Sequence, residues 1–85
     1  MIGVVEDADL LVRIAIDPKV MAGKQAIRGT RLTVEYILSR LGHDESAVEI
    51  IAEYPGLQPA DIAACIVFAR NAVAASSFVP FAETA

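Results

Sequence analysis

The chain has 85 residues, a formal net charge of −4 and 55% hydrophobic residues, which together predict one small domain. The single cysteine excludes an internal disulfide and favours a reducing compartment. No apolar run approaches the ~20 residues of a membrane helix, and the N-terminal stretch MIGVVEDADL has no basic residue, as a signal peptide would have. These features predict a cytoplasmic protein that is not attached to a membrane.

The first predicted element is a β unit within residues 10–32. The sequence LVRIAI, residues 11–16, alternates apolar residues with period two and therefore predicts a strand. Asp17-Pro18 ends this strand, since proline donates no hydrogen bond and restricts the residue before it. A turn at Gly23-Lys24 then leads to a second short strand, AIR, at residues 26–28.

Three helices are predicted to follow between residues 33 and 75, so the predicted fold class is mostly α with a short N-terminal β unit. The Thr33 hydroxyl can cap the start of the first helix, and Gly42 suits a left-handed position after its end. Ser46 and Glu49 have the spacing of a capping box at the start of the second helix.

The third predicted helix begins at Pro59, because proline is tolerated at the first helical position. Its predicted core stripe consists of Ile62, Cys65, Ile66, Ala69 and Val73. Further apolar residues lie off this stripe, and a helix that is apolar on two sides is buried on two sides. The sequence therefore predicts a homodimer, with candidate interface residues Ala64, Val67, Phe68 and Asn71.

The stretch KQAIRGTRLTV, residues 24–34, concentrates positive charge in an acidic chain. Four cations and no acid lie between Lys19 and Arg31. Two interpretations are open: a solvated hairpin whose cations pair with nearby acids, or a surface that contacts nucleic-acid phosphates. The start of the third helix offers mainly alanine and Asp61 for base readout, so the hairpin is the preferred DNA contact. The candidate DNA-binding residues are Lys24, Gln25, Arg28 and Arg31.

Three glutamates, Glu45, Glu49 and Glu53, follow one another at intervals of four residues and predict an acidic ridge on the second helix. Like charges at this spacing destabilise a helix by ~0.2–0.5 kcal/mol per pair. Two interpretations are open for the ridge. It either keeps the protein soluble or docks a basic partner.

No group of residues predicts catalysis. His43 and Cys65 are each the only residue of their type, and a metal site needs several ligands at suitable spacing. Cys65 lies on the predicted core stripe, where an inert thiol is the common case. The sequence therefore predicts neither an enzyme nor a metal or cofactor site.

A C-terminal tail, residues 76–85, is predicted to follow a single domain of residues 1–75. Pro80 prevents the helix from continuing and favours an extended conformation. The tail either folds back onto its own core or inserts its aromatic side chains into a partner. Its candidate partner-binding residues are Phe78, Val79 and Phe81.

Two stretches, DPKVMAGKQAIRGTRLTVEYIL and EIIAEYPGLQPADIAACIVFA, resemble the family catalogued as domain of unknown function 433, over roughly residues 13–73. The GTR block and the YPGL turn carry the resemblance. The chain departs from the family at Gln25, where proline is frequent, and at Gln58, where a threonine-type cap is common.

The resemblance implies a homeodomain-like three-helix bundle of the helix-turn-helix type after the β unit. It also implies an antitoxin-like protein that binds and neutralises a PIN-like ribonuclease toxin, with autoregulatory DNA binding as an additional role. The alternative is a DNA-binding transcriptional regulator without a toxin partner.

Overall fold

The computed structural model describes residues 6–19 and 21–76. Their order is helix α1 (Asp7–Leu11), strand β1 (Ile14–Ile16), a 3-10 turn (Met21–Gly23), strand β2 (Gln25–Ile27), and helices α2 (Val34–Gly42), α3 (Ala47–Glu53) and α4 (Pro59–Ala75). This order confirms the predicted mostly helical fold, in which a short β unit precedes three helices.

The β unit is an antiparallel hairpin in which Ile14 of β1 lies opposite Ile27 of β2. Both isoleucines are buried in the hydrophobic core. Ala26 also forms a bridge with Thr33, which joins β2 to the start of α2. A two-stranded hairpin is marginally stable by itself, so its packing against the helices is what holds it in place.

The predicted strand at residues 11–16 is too long at its N-terminal end, because Leu11 is the last residue of helix α1. Leu10 packs against the core, and Asp7 forms an ion pair with Arg70 of α4. So short a helix is not stable alone, and contact with α4 supports it. The local alternation of apolar residues carries no information about this contact between α1 and α4, so the sequence pattern predicts a strand there.

The two predicted helix caps are confirmed. The Tyr36 amide donates a hydrogen bond to the Thr33 hydroxyl at 3.0 Å, at the start of α2. At the start of α3, the Ser46 amide donates to Glu49 Oε1 at 2.7 Å, and the Glu49 amide donates to Ser46 Oγ at 3.1 Å. These bonds satisfy amides that have no partner inside the helix.

The prediction that Gly42 is left-handed is wrong. Gly42 is the last residue of α2, and Asp44 takes the left-handed conformation instead, with φ 69°. The His43 amide donates to the Ser39 carbonyl, and the Asp44 amide to the Leu41 carbonyl. The chain therefore reverses two residues later than predicted, at a residue type that tolerates positive φ.

The three largest fully buried side chains of the core come one from each of the three longer helices. Ile37 comes from α2, Ile50 from α3 and Cys65 from α4. The burial of the thiol and the nearby Asp61 charge raise the pKa of Cys65 to about 11. Cys65 is therefore a packing residue with little thiolate, as the sequence predicts.

The predicted core stripe of α4 is correct at Ile62 and Cys65 but wrong at two other positions. Ile66 is 50% exposed and Val73 is 68% exposed, whereas Ala64 is completely buried. Ala64, a candidate residue of the predicted dimer interface, is packed within the chain's own core. Because α4 is apolar on nearly every side, its periodicity cannot select a face, and packing against α2 and α3 decides it.

Candidate functional site

Three of the four predicted DNA-binding residues line one open groove on the hairpin, here called the cationic groove. It has a volume of about 660 Å³, and Lys24, Arg28 and Arg31 line it together with Asp17. Gln25, the fourth predicted residue, is half-buried in β2 and is not among the residues that line the groove.

The three cations of this groove are held differently. Arg28 donates from Nε to the Val12 carbonyl at 2.9 Å and from Nη2 to the Ile14 carbonyl at 3.3 Å. Lys24 Nζ lies 3.2 Å from Glu35 Oε1, with side chains that are 57% and 79% exposed. Arg31 is exposed and forms no ion pair within the described residues.

The loop between Arg28 and Arg31 is held by its own threonine. Gly29 has φ +80°, a conformation that side-chain-bearing residues rarely adopt. Thr30 Oγ1 donates to the Ile27 carbonyl at 2.8 Å and accepts from the Leu32 amide at 3.0 Å. The glycine and threonine of the GTR block therefore fix the turn that carries Arg31.

A second groove, here called the apolar groove, lies where α1, β1 and α4 meet. It has a volume of about 390 Å³ and is lined by Leu11, Ile14, Ile16, Phe68, Asn71 and Ala72. Ile16 is 60% exposed, so part of this apolar wall faces solvent. The groove brings together two of the residues predicted for a dimer interface, Phe68 and Asn71. A third, Val67, is half-buried and does not line it.

Sequence reasoning missed most of the apolar groove. Leu11, Ile14 and Ile16 were predicted only as strand residues, and Ala72 was not singled out. The groove walls come from segments separated by more than fifty residues, so no local pattern joins them. The one available signal is that α4 has apolar residues on more than one face. This predicts that a second face of α4 is covered, but it does not identify the segments that cover it.

The tail residues Phe78, Val79 and Phe81 lie outside the described residues. Their role in partner binding stays a prediction.

The predicted acidic ridge is largely compensated by Arg40 of α2. Arg40 Nε donates to Glu45 Oε2 at 2.7 Å, and Nη2 donates to Glu53 Oε1 at 2.8 Å. Glu49 is occupied in the capping box of α3. The three glutamates therefore have structural partners, and the ion pairs join α2 to the loop before α3 and to the last residue of α3.

Two tyrosines extend this ion-pair cluster. Arg40 Nη1 donates to the Tyr36 hydroxyl at 2.8 Å, and the Tyr36 and Tyr54 hydroxyls are 2.7 Å apart. The two rings meet edge to face, with centroids 6.3 Å apart. The hydrogen bond with Tyr36 and partial desolvation raise the pKa of Tyr54 to about 12.

Acid should destabilise the folded protein by protonating Glu45 and Glu53, the two carboxylates that bind Arg40. Hydrogen bonds from Arg40 lower the pKa of Glu45 and Glu53 below their usual 4.5. Carboxylates with lowered pKa contribute stability that is present above their unfolded pKa and lost as the pH falls through the folded pKa. We therefore expect the melting temperature to fall as the pH is lowered from about 5 to about 3, and to fall less in Arg40→Met, where this contribution is already absent.

Thermal unfolding followed by circular dichroism at several pH values checks this expectation. Lys24→Met is the matched control, because it removes a cation whose ion pair with Glu35 is exposed and contributes little. An equal fall in melting temperature for the wild type and Arg40→Met would contradict it.

Within residues 6–19 and 21–76, no group of three or more His, Cys, Asp or Glu side chains could hold a metal ion. None of the helices described has the length and hydropathy needed to cross a membrane. His43 lies with its Nδ1 2.6 Å from the Ser39 carbonyl, at the end of α2.

Comparison with curated proteins gives no match, and comparison with solved structures gives none either. A family model does match, over residues 14–69, and its description is "Protein of unknown function (DUF433)". The match runs from β1 into α4 and contains the GTR block and the YPGL turn. The chain therefore belongs to this family.

Proposed function

We propose that this protein is an antitoxin-like interaction module that binds and neutralises a PIN-like ribonuclease. The observation that carries the proposal is the exposed apolar groove between α1, β1 and α4. Contiguous apolar surface on a small protein commonly marks an interaction site. The ribonuclease as partner follows from the family resemblance, and the groove offers a place for it to bind.

A protein suits this groove better than a small molecule because the apolar surface extends beyond the groove itself. Every residue from Arg70 to Ser76 is exposed, so none of the described residues covers the last part of α4. Val73, which follows the groove residue Ala72 in the sequence, is 68% exposed. A partner that fills the groove would also cover this part of the helix.

Charge placed in the groove should weaken ribonuclease binding. We expect Ile16→Glu or Ala72→Glu to raise the concentration needed for half-inhibition by about 10–100-fold, because burying an apolar side chain contributes about 1.5–3 kcal/mol. The measurement is inhibition of a purified PIN-like ribonuclease by this protein. Both positions are solvent-accessible, so the fold should tolerate the changes.

Val48→Glu is the matched control, since Val48 is 76% exposed on α3 and does not line the groove. It introduces the same charge and should leave inhibition unchanged. Normal inhibition by both groove variants, or an equal loss in Val48→Glu, would contradict the assignment of the groove.

A second copy of the chain is the competing occupant. The homodimer predicted from the sequence would use the same face of α4, and it stays a prediction. Sedimentation of the wild type, alone and with the ribonuclease, separates the two cases, because a second copy and a ribonuclease add different masses.

A further inference from the structure

Some basic side chains of this acidic protein form ion pairs with acidic side chains of the same chain, and others do not. Three arginines outside the cationic groove pair with acids of the same chain. Arg13 lies 3.0 Å from Asp61, Arg40 binds Glu45 and Glu53, and Arg70 binds Asp7. These pairs join separate elements, so their charge is used within the fold.

The cationic groove differs in this respect. Within the described residues, neither Arg28 nor Arg31 forms an ion pair with an acid, and the one pair of Lys24 is with an exposed glutamate. Exposed pairs of this kind contribute little and are readily exchanged. Of the described basic residues, Arg28, Arg31 and Lys19 form no ion pair with an acid, and Arg28 and Arg31 line the groove together with the weakly paired Lys24.

We infer that the cationic groove binds the phosphodiester backbone of nucleic acid, with Arg31 and Lys24 contacting phosphates and Arg28 acting as a positioning residue. Arg28 is assigned that role because two of its donors already bind the carbonyls of Val12 and Ile14. The planar guanidinium of Arg31 can donate two parallel hydrogen bonds to one phosphate.

The arrangement of the cations along the hairpin favours nucleic acid over an acidic peptide. Lys24 precedes β2 and Arg31 follows it, and both line the groove. Phosphates of a nucleic acid recur at fixed short intervals, so two cations spread along the groove meet more than one phosphate. Hairpins of this type enter DNA grooves in several known classes of DNA-binding protein.

The start of α4 is less suited than the cationic groove to contact nucleic acid. Asp61 is buried and occupied by Arg13 and by the Gln58 amide. Base readout requires polar side chains at exposed positions near the helix start. Pro59 and Ala60 supply none, and the exposed Gln58 before them offers one uncharged amide and no cation for a phosphate.

The test compares the wild type with Arg31→Ala and Arg70→Ala for binding to a duplex of about 20 base pairs at ~50–200 mM salt. Arg70→Ala is the matched control, because it removes one exposed cation remote from the groove. We expect Arg31→Ala to weaken binding about 5–10-fold and to lower the salt slope by about one, with Arg70→Ala close to the wild type. If Arg31→Ala lowers the melting temperature, Arg31→Gln replaces it.

Three results would overturn the inference: no binding of the wild type at the lowest salt, equal losses in Arg31→Ala and Arg70→Ala, or tighter binding of polyglutamate than of the duplex. The last would identify an acidic protein as the occupant. The inference goes beyond the ribonuclease-binding role, and its experiment contains no ribonuclease. Failure of either proposal therefore leaves the other testable.

Discussion

Replacing Ile50 with alanine should lower the free energy of unfolding by about 2–5 kcal/mol, since the change removes buried carbon atoms and leaves a cavity. Ile50 is completely buried at the centre of the core, with Ile37 and Cys65 also fully buried. Domains are typically stable by about 5–15 kcal/mol, so a large share of the folding free energy should be lost. Urea denaturation followed by circular dichroism measures the change.

Val48→Ala is the control for this substitution, because Val48 lies two residues away on the same helix and is 76% exposed. It should change the free energy of unfolding by less than about 0.5 kcal/mol. If the two variants were equally stable, the described orientation of α3 would be wrong.

Replacing Asp61 with alanine should lower the free energy of unfolding by about 2–3 kcal/mol, combining the loss of a helix cap with the loss of a charged hydrogen bond. Asp61 Oδ2 accepts from the Gln58 amide at 2.9 Å, and Oδ1 accepts from Arg13 Nη1 at 3.0 Å. The carboxylate is largely buried, with the side chain 10% exposed. The Asp61 amide donates to the backbone carbonyl of Gln58, so the side-chain capping bond is the one that the Asp61 carboxylate accepts.

A double-mutant cycle separates these two contributions of Asp61. Arg13→Ala removes only the ion pair, and Asp61→Ala removes both the pair and the cap. We expect a coupling energy of about 1 kcal/mol between the two positions, measured by denaturant unfolding. Strictly additive effects would show that Arg13 contributes nothing through Asp61.

Local interactions explain which parts of the fold could be predicted from the sequence. Thr33 and the Ser46–Glu49 pair were correctly identified as caps, because a cap involves residues only three positions apart. Helix α1 and the buried face of α4 could not be predicted in the same way. Both depend on contact between segments far apart in the sequence.

The two grooves show the same contrast. Lys24, Arg28 and Arg31 could be grouped from the sequence because they fall within eight residues of one hairpin. The hydrogen bonds from Arg28 to the Val12 and Ile14 carbonyls could not, since they depend on how β1 pairs with β2. The apolar groove needs α1 and α4 in contact, and no local pattern in the sequence predicts α1.

Hydrogen exchange of the protein with and without the PIN-like ribonuclease tests the central claim most directly, because it locates the covered surface without a substitution. Binding in the apolar groove predicts slower amide exchange in α1, β1 and the exposed end of α4, from Arg70 to Ser76. Exchange in α3 around Val48 should stay unchanged. Protection confined to α3, or no change at the end of α4, would contradict the account.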